Sequence, residues 1–240
     1  MDIIHRHDWD VAPQQAIALQ KQMAAELIYD RPLDLSKIGY VAGVDVSVKF
    51  DPVRGHDVSQ AAVVVVSFPD LQLVEAVTAL QKTPFPYIPG LLSFREGPAL
   101  EEAFGKLKTE PAAFIFDGMG RAHPRRIGIA SHMGLWLNKP TIGCGKTLLT
   151  GKHDEPGAKK GSTADLVDKG EVIGVALRTR DNTKPVYISV GHLADLPTAV
   201  ELVMRCTPKY RLPEPIRLAH NTAGQIDMQQ DDNAEQLPLL

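Results

Sequence analysis

Asp45, Glu96, Asp117, Lys146 and His220 are the side chains whose types and settings suggest chemistry. Asp45 lies in Gly39-Tyr-Val-Ala-Gly-Val-Asp-Val-Ser-Val48, whose alternation predicts a strand. Val44, Val46 and Val48 face one way, and Gly43, Asp45 and Ser47 the other. A carboxylate there is costly to bury unpaired, so it lies on a solvated face or holds a cation. Mg²⁺ suits the second case, because it takes one or two protein carboxylates and keeps several waters. Asp117 ends the short apolar strand Ala113-Phe-Ile-Phe-Asp117 and precedes Gly118-Met-Gly120. That edge of an α/β sheet is where ligands bind, although Asp-Gly is equally a common turn pair. Glu96 stands just before a helix predicted from about Pro98 to Lys108, where a carboxylate also favours the positive end of the helix dipole. Lys146, in Gly143-Cys-Gly-Lys-Thr147, can neutralise a phosphate at a strand end. The same stretch is not a nucleotide-binding P-loop, because Pro140 stands where the first glycine is required. His220 is an acid–base group or a plain surface histidine, and His192 is equally ambiguous and receives no role.

Two further segments suit a nucleic acid. Arg121-Ala-His-Pro-Arg-Arg126 puts cations and His123 where Pro124 is expected to open a helix, and exposed amides with cations bind phosphate. The ordinary alternatives are a solvated charge run and, for His123, a helix cap. Pro86-Tyr-Ile-Pro89 is stiff, because proline fixes its own backbone and restricts its neighbour. It presents Tyr87 and Ile88 either as a wedge for a base stack or as part of a loop covering the core.

The net charge of -3 seems to oppose such a partner. Asp227, Asp231, Asp232 and Glu235 account for it, since without them 26 basic residues face 25 acidic ones. Local patches therefore decide the matter. At 240 residues, 44% hydrophobic and 23% charged, the chain matches a soluble globular enzyme and excludes a disordered or collagen-like one. The longest apolar run, residues 60–67, is too short to cross a bilayer, and the N-terminus has no apolar signal core. Two cysteines give neither a disulfide framework nor a zinc site, and a reducing cytoplasm is the expectation.

These residues need a scaffold. A helix is expected over 13–29, with Ala16, Leu19, Met23 and Leu27 on one stripe. Strands near 39–48, 60–68 and 71–80 form a meander. Strands near 113–117 and 139–144 then alternate with helices, a hairpin turns around Asp181-Asn182, and a helix over 196–206 closes the regular part. That order predicts an α/β mixed sheet with helices on both faces and a single domain over 1–223, followed by a polar, mobile tail over 224–240.

Together the segments resemble the endonuclease V family of deoxyinosine-directed repair nucleases. The resemblance rests on Tyr40-Val-Ala-Gly-Val-Asp-Val46 and on Pro86-Tyr-Ile-Pro-Gly-Leu-Leu-Ser-Phe-Arg-Glu96. It continues through Phe116-Asp-Gly-Met-Gly-Arg-Ala-His-Pro-Arg-Arg-Ile-Gly128, Pro140-Thr-Ile-Gly-Cys-Gly-Lys146 and Tyr210-Arg-Leu-Pro-Glu-Pro-Ile-Arg217. It runs in one order over about residues 14–220, with Met119 and Ala122 departing from the third motif. The resemblance implies a ribonuclease H-like fold with the first and fourth strands side by side. It implies Asp45 and Asp117 as Mg²⁺ ligands, with Mn²⁺ able to substitute. Glu96 becomes the third catalytic carboxylate, and Lys146 and His220 become catalytic-site residues. Tyr87 matches the tyrosine that fills the gap of an extruded base, and Gly90, Gly118 and Gly120 match glycines around the base pocket. With Ile88, His123 and Arg125 these form the expected DNA-binding set. The implied substrate is DNA with deoxyinosine, or inosine-containing RNA, acted on by a monomer.

Overall fold

The computed structural model describes residues 1–225. The expected tail over 224–240 falls almost wholly outside the described residues. Eight strands form one sheet: β1 (Tyr40–Asp51), β2 (His56–Ser67), β3 (Leu73–Lys82), β4 (Ala113–Phe116), β5 (Thr141–Gly145), β6 (Thr163–Asp168), β7 (Glu171–Leu177) and β8 (Val186–His192). Their spatial order is β3-β2-β1-β4-β5-β8-β7-β6. The first three form the antiparallel meander expected, and β1, β4 and β5 run parallel. The remaining three are antiparallel.

The sheet is covered on both faces. One face carries α2 (Leu92–Lys106), α3 (Ile129–Leu137) and Met23 of α1 (Pro13–Ala24), packed on Val44, Val63, Phe114 and Phe116. The other carries α4 (Leu196–Arg205) and α5 (Glu214–Gly224), packed on Val41, Val64, Ile115 and Ile142. Successive residues of β4 therefore feed opposite cores, and the unbroken apolar run Ala61–Val66 of β2 is buried on both sides.

The helices depart from expectation where the site is built. α2 starts at Leu92, so Glu96 lies inside the helix and not before it. Pro98 sits in its interior, where its missing N–H deprives the Phe94 carbonyl of its usual partner. α3 starts at Ile129, not Pro124. Residues 118–128 form a loop closed by Gly128 N–H to the Gly120 carbonyl (2.9 Å) and Ala130 N–H to the Met119 carbonyl (3.0 Å). α1 stops at Ala24, five residues short of the expected end. The strand β6 and the helix α5 are not signalled by the sequence pattern; α5 has an amphipathic stripe only in Ile216, Ala219 and Ala223.

Candidate active site

Asp45 and Asp117 come from neighbouring strands. The register pairs Val44 with Phe116, so the next residue of each strand is a carboxylate. The Asp117 N–H donates to the Val44 carbonyl at 2.9 Å, which fixes Asp117 beside β1. α5 brings the third group. A Cβ on Gly43 would meet the Pro215 carbonyl oxygen at 2.0 Å, so α5 lies directly on β1 there. Further along, Lys49 Nζ donates to the Gly224 carbonyl at 2.8 Å, so helix and strand run the same way. Five residues of helix and two of strand advance by similar lengths, about 7 Å. His220 thus arrives opposite Asp45, with Nδ1 2.6 Å from Oδ2.

The ligand-type atoms of Asp45, Asp117 and His220 all lie within 4.8 Å of one another. The two carboxylates are 11% exposed and the imidazole 57%. Lys146, at the end of β5, pairs with Asp117 Oδ2 and stands 3.4 Å from His220 Nδ1. Its backbone is held by Arg211, whose guanidinium donates to the Lys146 carbonyl at 2.9 Å and the Pro185 carbonyl at 2.7 Å. Glu96 feels both aspartates. Burial pushes its carboxyl well above the usual range, and the charges of Asp45 and Asp117 add to that. Burial also raises Asp45, with Asp117 adding to it against the opposing pull of His220 and Lys146. Clustered carboxyls that resist ionisation together mark a place short of positive charge.

A pocket of about 410 Å³ opens beside Asp117 and Lys146. The proline loop lines it with Tyr87, Ile88 and Gly90, and Gly118 lines it as well. Tyr87 is 71% exposed at the rim, whereas Ile88 packs toward Ala16, Phe85 and Phe94. Gly90 has φ +81°, a left-handed conformation that favours glycine. Its carbonyl accepts from Gln20 Nε2 (3.0 Å), Arg125 Nη2 (2.7 Å) and His123 Nε2 (3.0 Å).

The basic cluster does not stand at a helix start with free cations. Arg121 pairs with Glu171 and lies 3.9 Å over the Tyr29 ring, and Arg126 pairs with Glu171 (2.7 Å) and Asp168 (2.8 Å). Arg125 and the buried His123 hold the proline loop, and Arg125 Nε also donates to Gln20 Oε1 at 2.5 Å. Gly120 is not at the pocket wall: a Cβ there would meet the Val190 carbonyl oxygen at 2.2 Å, so its bareness serves packing against β8. Sequence reasoning missed Gln20, Arg95 and Arg211. Arg95 anchors the loop before α2 to Asp57 (2.8 Å) and to the Phe85 carbonyl (2.8 Å). Arg95 and Arg211 lie inside the segments quoted for the family resemblance, while Gln20 sits on the expected first helix without any distinguishing pattern.

The sequence and the fold have counterparts among known proteins. The endonuclease V family profile matches residues 21–221. The chain belongs to the endonuclease V family. The endonuclease V of Nostoc sp. is 49% identical over 224 residues, spanning 93% of this chain and 99% of that protein. That of Methanothrix thermoacetophila is 46% identical, spanning 89% and 92%. The crystal structure of Bacillus subtilis endonuclease V superposes with a TM-score of 0.89 at 32% identity, covering 93% of this chain and 96% of that one. A Ciona intestinalis endonuclease V bound to a 24mer DNA containing an inosine followed by a ribo-adenosine superposes at 0.76 with 32% identity, covering 88% and 95%. As an endonuclease V family member with a ribonuclease H-like mixed sheet, the chain is a nuclease, and no helix among its described residues is long and apolar enough to cross a membrane.

Proposed function

We propose that the chain is a Mg²⁺-dependent endonuclease that acts on deaminated purines in DNA, chiefly deoxyinosine. It hydrolyses the second phosphodiester bond 3′ to the lesion and leaves 3′-hydroxyl and 5′-phosphate ends. The observation that carries this reading is the convergence of Asp45, Asp117 and His220, with Asp117 also lining the pocket and Glu96 coupled to both aspartates.

The donor set fits a hard divalent cation. Two carboxylates reach one point, and a third raised carboxyl stands near in need of compensation. Asp45 and Asp117 would hold the ion, with Glu96 ordering it or a second one. When bound there, such an ion would supply polarisation of the phosphate and a lowered pKa for an attacking water. Lys146 stands where its ammonium can offset charge developing on phosphoryl oxygens. His220, exposed and bonded to Asp45, is placed to hold a proton at Nδ1 beside the reacting groups. The 410 Å³ pocket is of a size to receive one extruded base, and Tyr87 at its rim to fill the gap left in the stack. A mispaired inosine costs less to extrude than a well-paired base, which supports selectivity for the lesion.

Nicking of an inosine-containing duplex tests the reading. EDTA should abolish it, and added Mg²⁺ or Mn²⁺ should restore it; nicking that persists in chelator would sink the metal assignment. A second substrate has a specific observation behind it, the ribo-adenosine following inosine in the Ciona complex. Matched DNA and RNA strands of one sequence, compared by rate, separate a deoxyribonuclease from a ribonuclease. We take the active species to be a monomer, and sedimentation velocity in solution checks it.

A further inference from the structure

Ser93 lines the base pocket beside Asp117 and Lys146, yet its hydroxyl proton is committed elsewhere. Its Oγ lies 2.8 Å from Nδ1 of the buried His132. His132 Nε2 lies 2.7 Å from His7 Nε2, and His7 Nδ1 lies 2.9 Å from the Asp8 carbonyl oxygen. A carbonyl oxygen only accepts, so His7 carries its proton on Nδ1 and presents a bare Nε2. His132 must then donate from Nε2, which leaves its own Nδ1 bare. Burial lowers the pKa of both imidazoles, which favours the neutral forms that this order of bonds requires. The one proton left for the last contact is that of the Ser93 hydroxyl. Ser93, 2% exposed, therefore donates toward His132, and an occupant that reaches its Oγ meets only oxygen lone pairs.

Purines differ on the edge that such an oxygen would read. Hypoxanthine carries an N1–H donor, whereas adenine has a bare N1. We propose that Ser93 Oγ is a specificity-determining acceptor for the N1–H of a deaminated purine, and that His132 and His7 are positioning residues that lock its hydroxyl in that sense. The inference rests on the endonuclease reading above. Guanine shares the N1–H, so the contact sorts hypoxanthine from adenine and not from guanine. The lock is built partly by the chain's own N-terminal segment, because His7 precedes the residues 21–221 matched by the family profile. Trp9 clamps that segment, stacked 4.5 Å from Trp136 and seated where a Cβ on Gly97 would meet its ring at 2.3 Å.

The test measures binding of oligonucleotides carrying inosine or nebularine, a purine with a bare N1, by fluorescence anisotropy in EDTA, with nicking in Mg²⁺ alongside. Ser93→Ala should lower the inosine-to-nebularine preference about tenfold or more, because the N1–H then loses its acceptor. His132→Phe should lower the same ratio by letting the hydroxyl turn toward a bare N1; Ser93→Ala alone decides the matter if His132→Phe does not fold. An equal loss for both oligonucleotides in Ser93→Ala, leaving the ratio unchanged, overturns the proposal while the endonuclease reading stands. A wild-type chain that neither prefers nor nicks inosine overturns the endonuclease reading itself.

Discussion

Asp45 and Asp117 share an environment but not their partners. Asp45 is tied to His220 and to the Val46 N–H (2.9 Å), whereas Asp117 is tied to Lys146. Each partner contacts Oδ2 of its own aspartate. Asp45→Asn and Asp117→Asn should each cut nicking by a hundredfold or more, since an amide keeps the shape and loses the charge that holds a cation. Lys146→Met should cost about a hundredfold in rate, roughly 3 kcal/mol of charge stabilisation, with the fold intact. Rates measured at saturating Mg²⁺ check all three; near-normal nicking by either asparagine variant would refute its assignment as a ligand.

At the scale of elements, the contact of α5 with β1 decides where His220 falls. Gly43 is the residue that permits it, because any side chain there would strike the Pro215 backbone. Gly43→Ala should destabilise the chain by about 1–3 kcal/mol in urea melts and depress nicking further than that loss explains, by moving His220 off Asp45. Unchanged melting would mean that α5 does not sit so tightly on β1. The proline loop depends on another element contact. Gln20 from α1 and Arg125 from the loop before α3 both hold the Gly90 carbonyl. Gln20→Ala should loosen the loop and raise KM several-fold with a smaller effect on kcat, as steady-state kinetics on an inosine strand would show.

At the scale of the whole molecule, three buried histidines among the described residues accept a hydrogen bond at Nδ1. His123 takes the Arg125 N–H (3.2 Å), His192 the Ile28 N–H (3.3 Å) and His132 the Ser93 hydroxyl. Burial lowers His123 and His192 from 6.5 to about 4, and His132 well below its ordinary value. The unfolded chain binds these protons near pH 6.5 while the folded chain refuses them, so the folded state is favoured fully above that pH and progressively less between 6.5 and about 4. His123 and His192 each contribute at most roughly 3 kcal/mol across that window. Asp45 and Glu96, whose carboxyls are raised, act with the opposite sign. His192→Asn keeps an acceptor near Nδ1 that cannot take a proton. Its urea stability should therefore fall less than wild type between pH 7 and pH 4.5, and parallel pH dependences would contradict the buried neutral histidine.

The meander, the buried strand ending at Asp117 and the four groups that the structure brings together, Asp45, Asp117, Lys146 and His220, were named from the sequence, because strand alternation, apolar runs and motif order are local properties of the chain. The helix limits around Glu96 and Arg121–Arg126 were not. Pro98 and Pro124 read locally as helix starts, yet α2 begins earlier and α3 later because long-range packing outweighs a single proline's preference. α5 went unread because its apolar residues are few and its place is set by Gly43, 172 residues upstream of Pro215. Local chemistry thus determined which groups could act; only the pairing of β1 with β4 and the seating of α5 decided that they meet, since the contacts that bring them together join segments far apart in the chain.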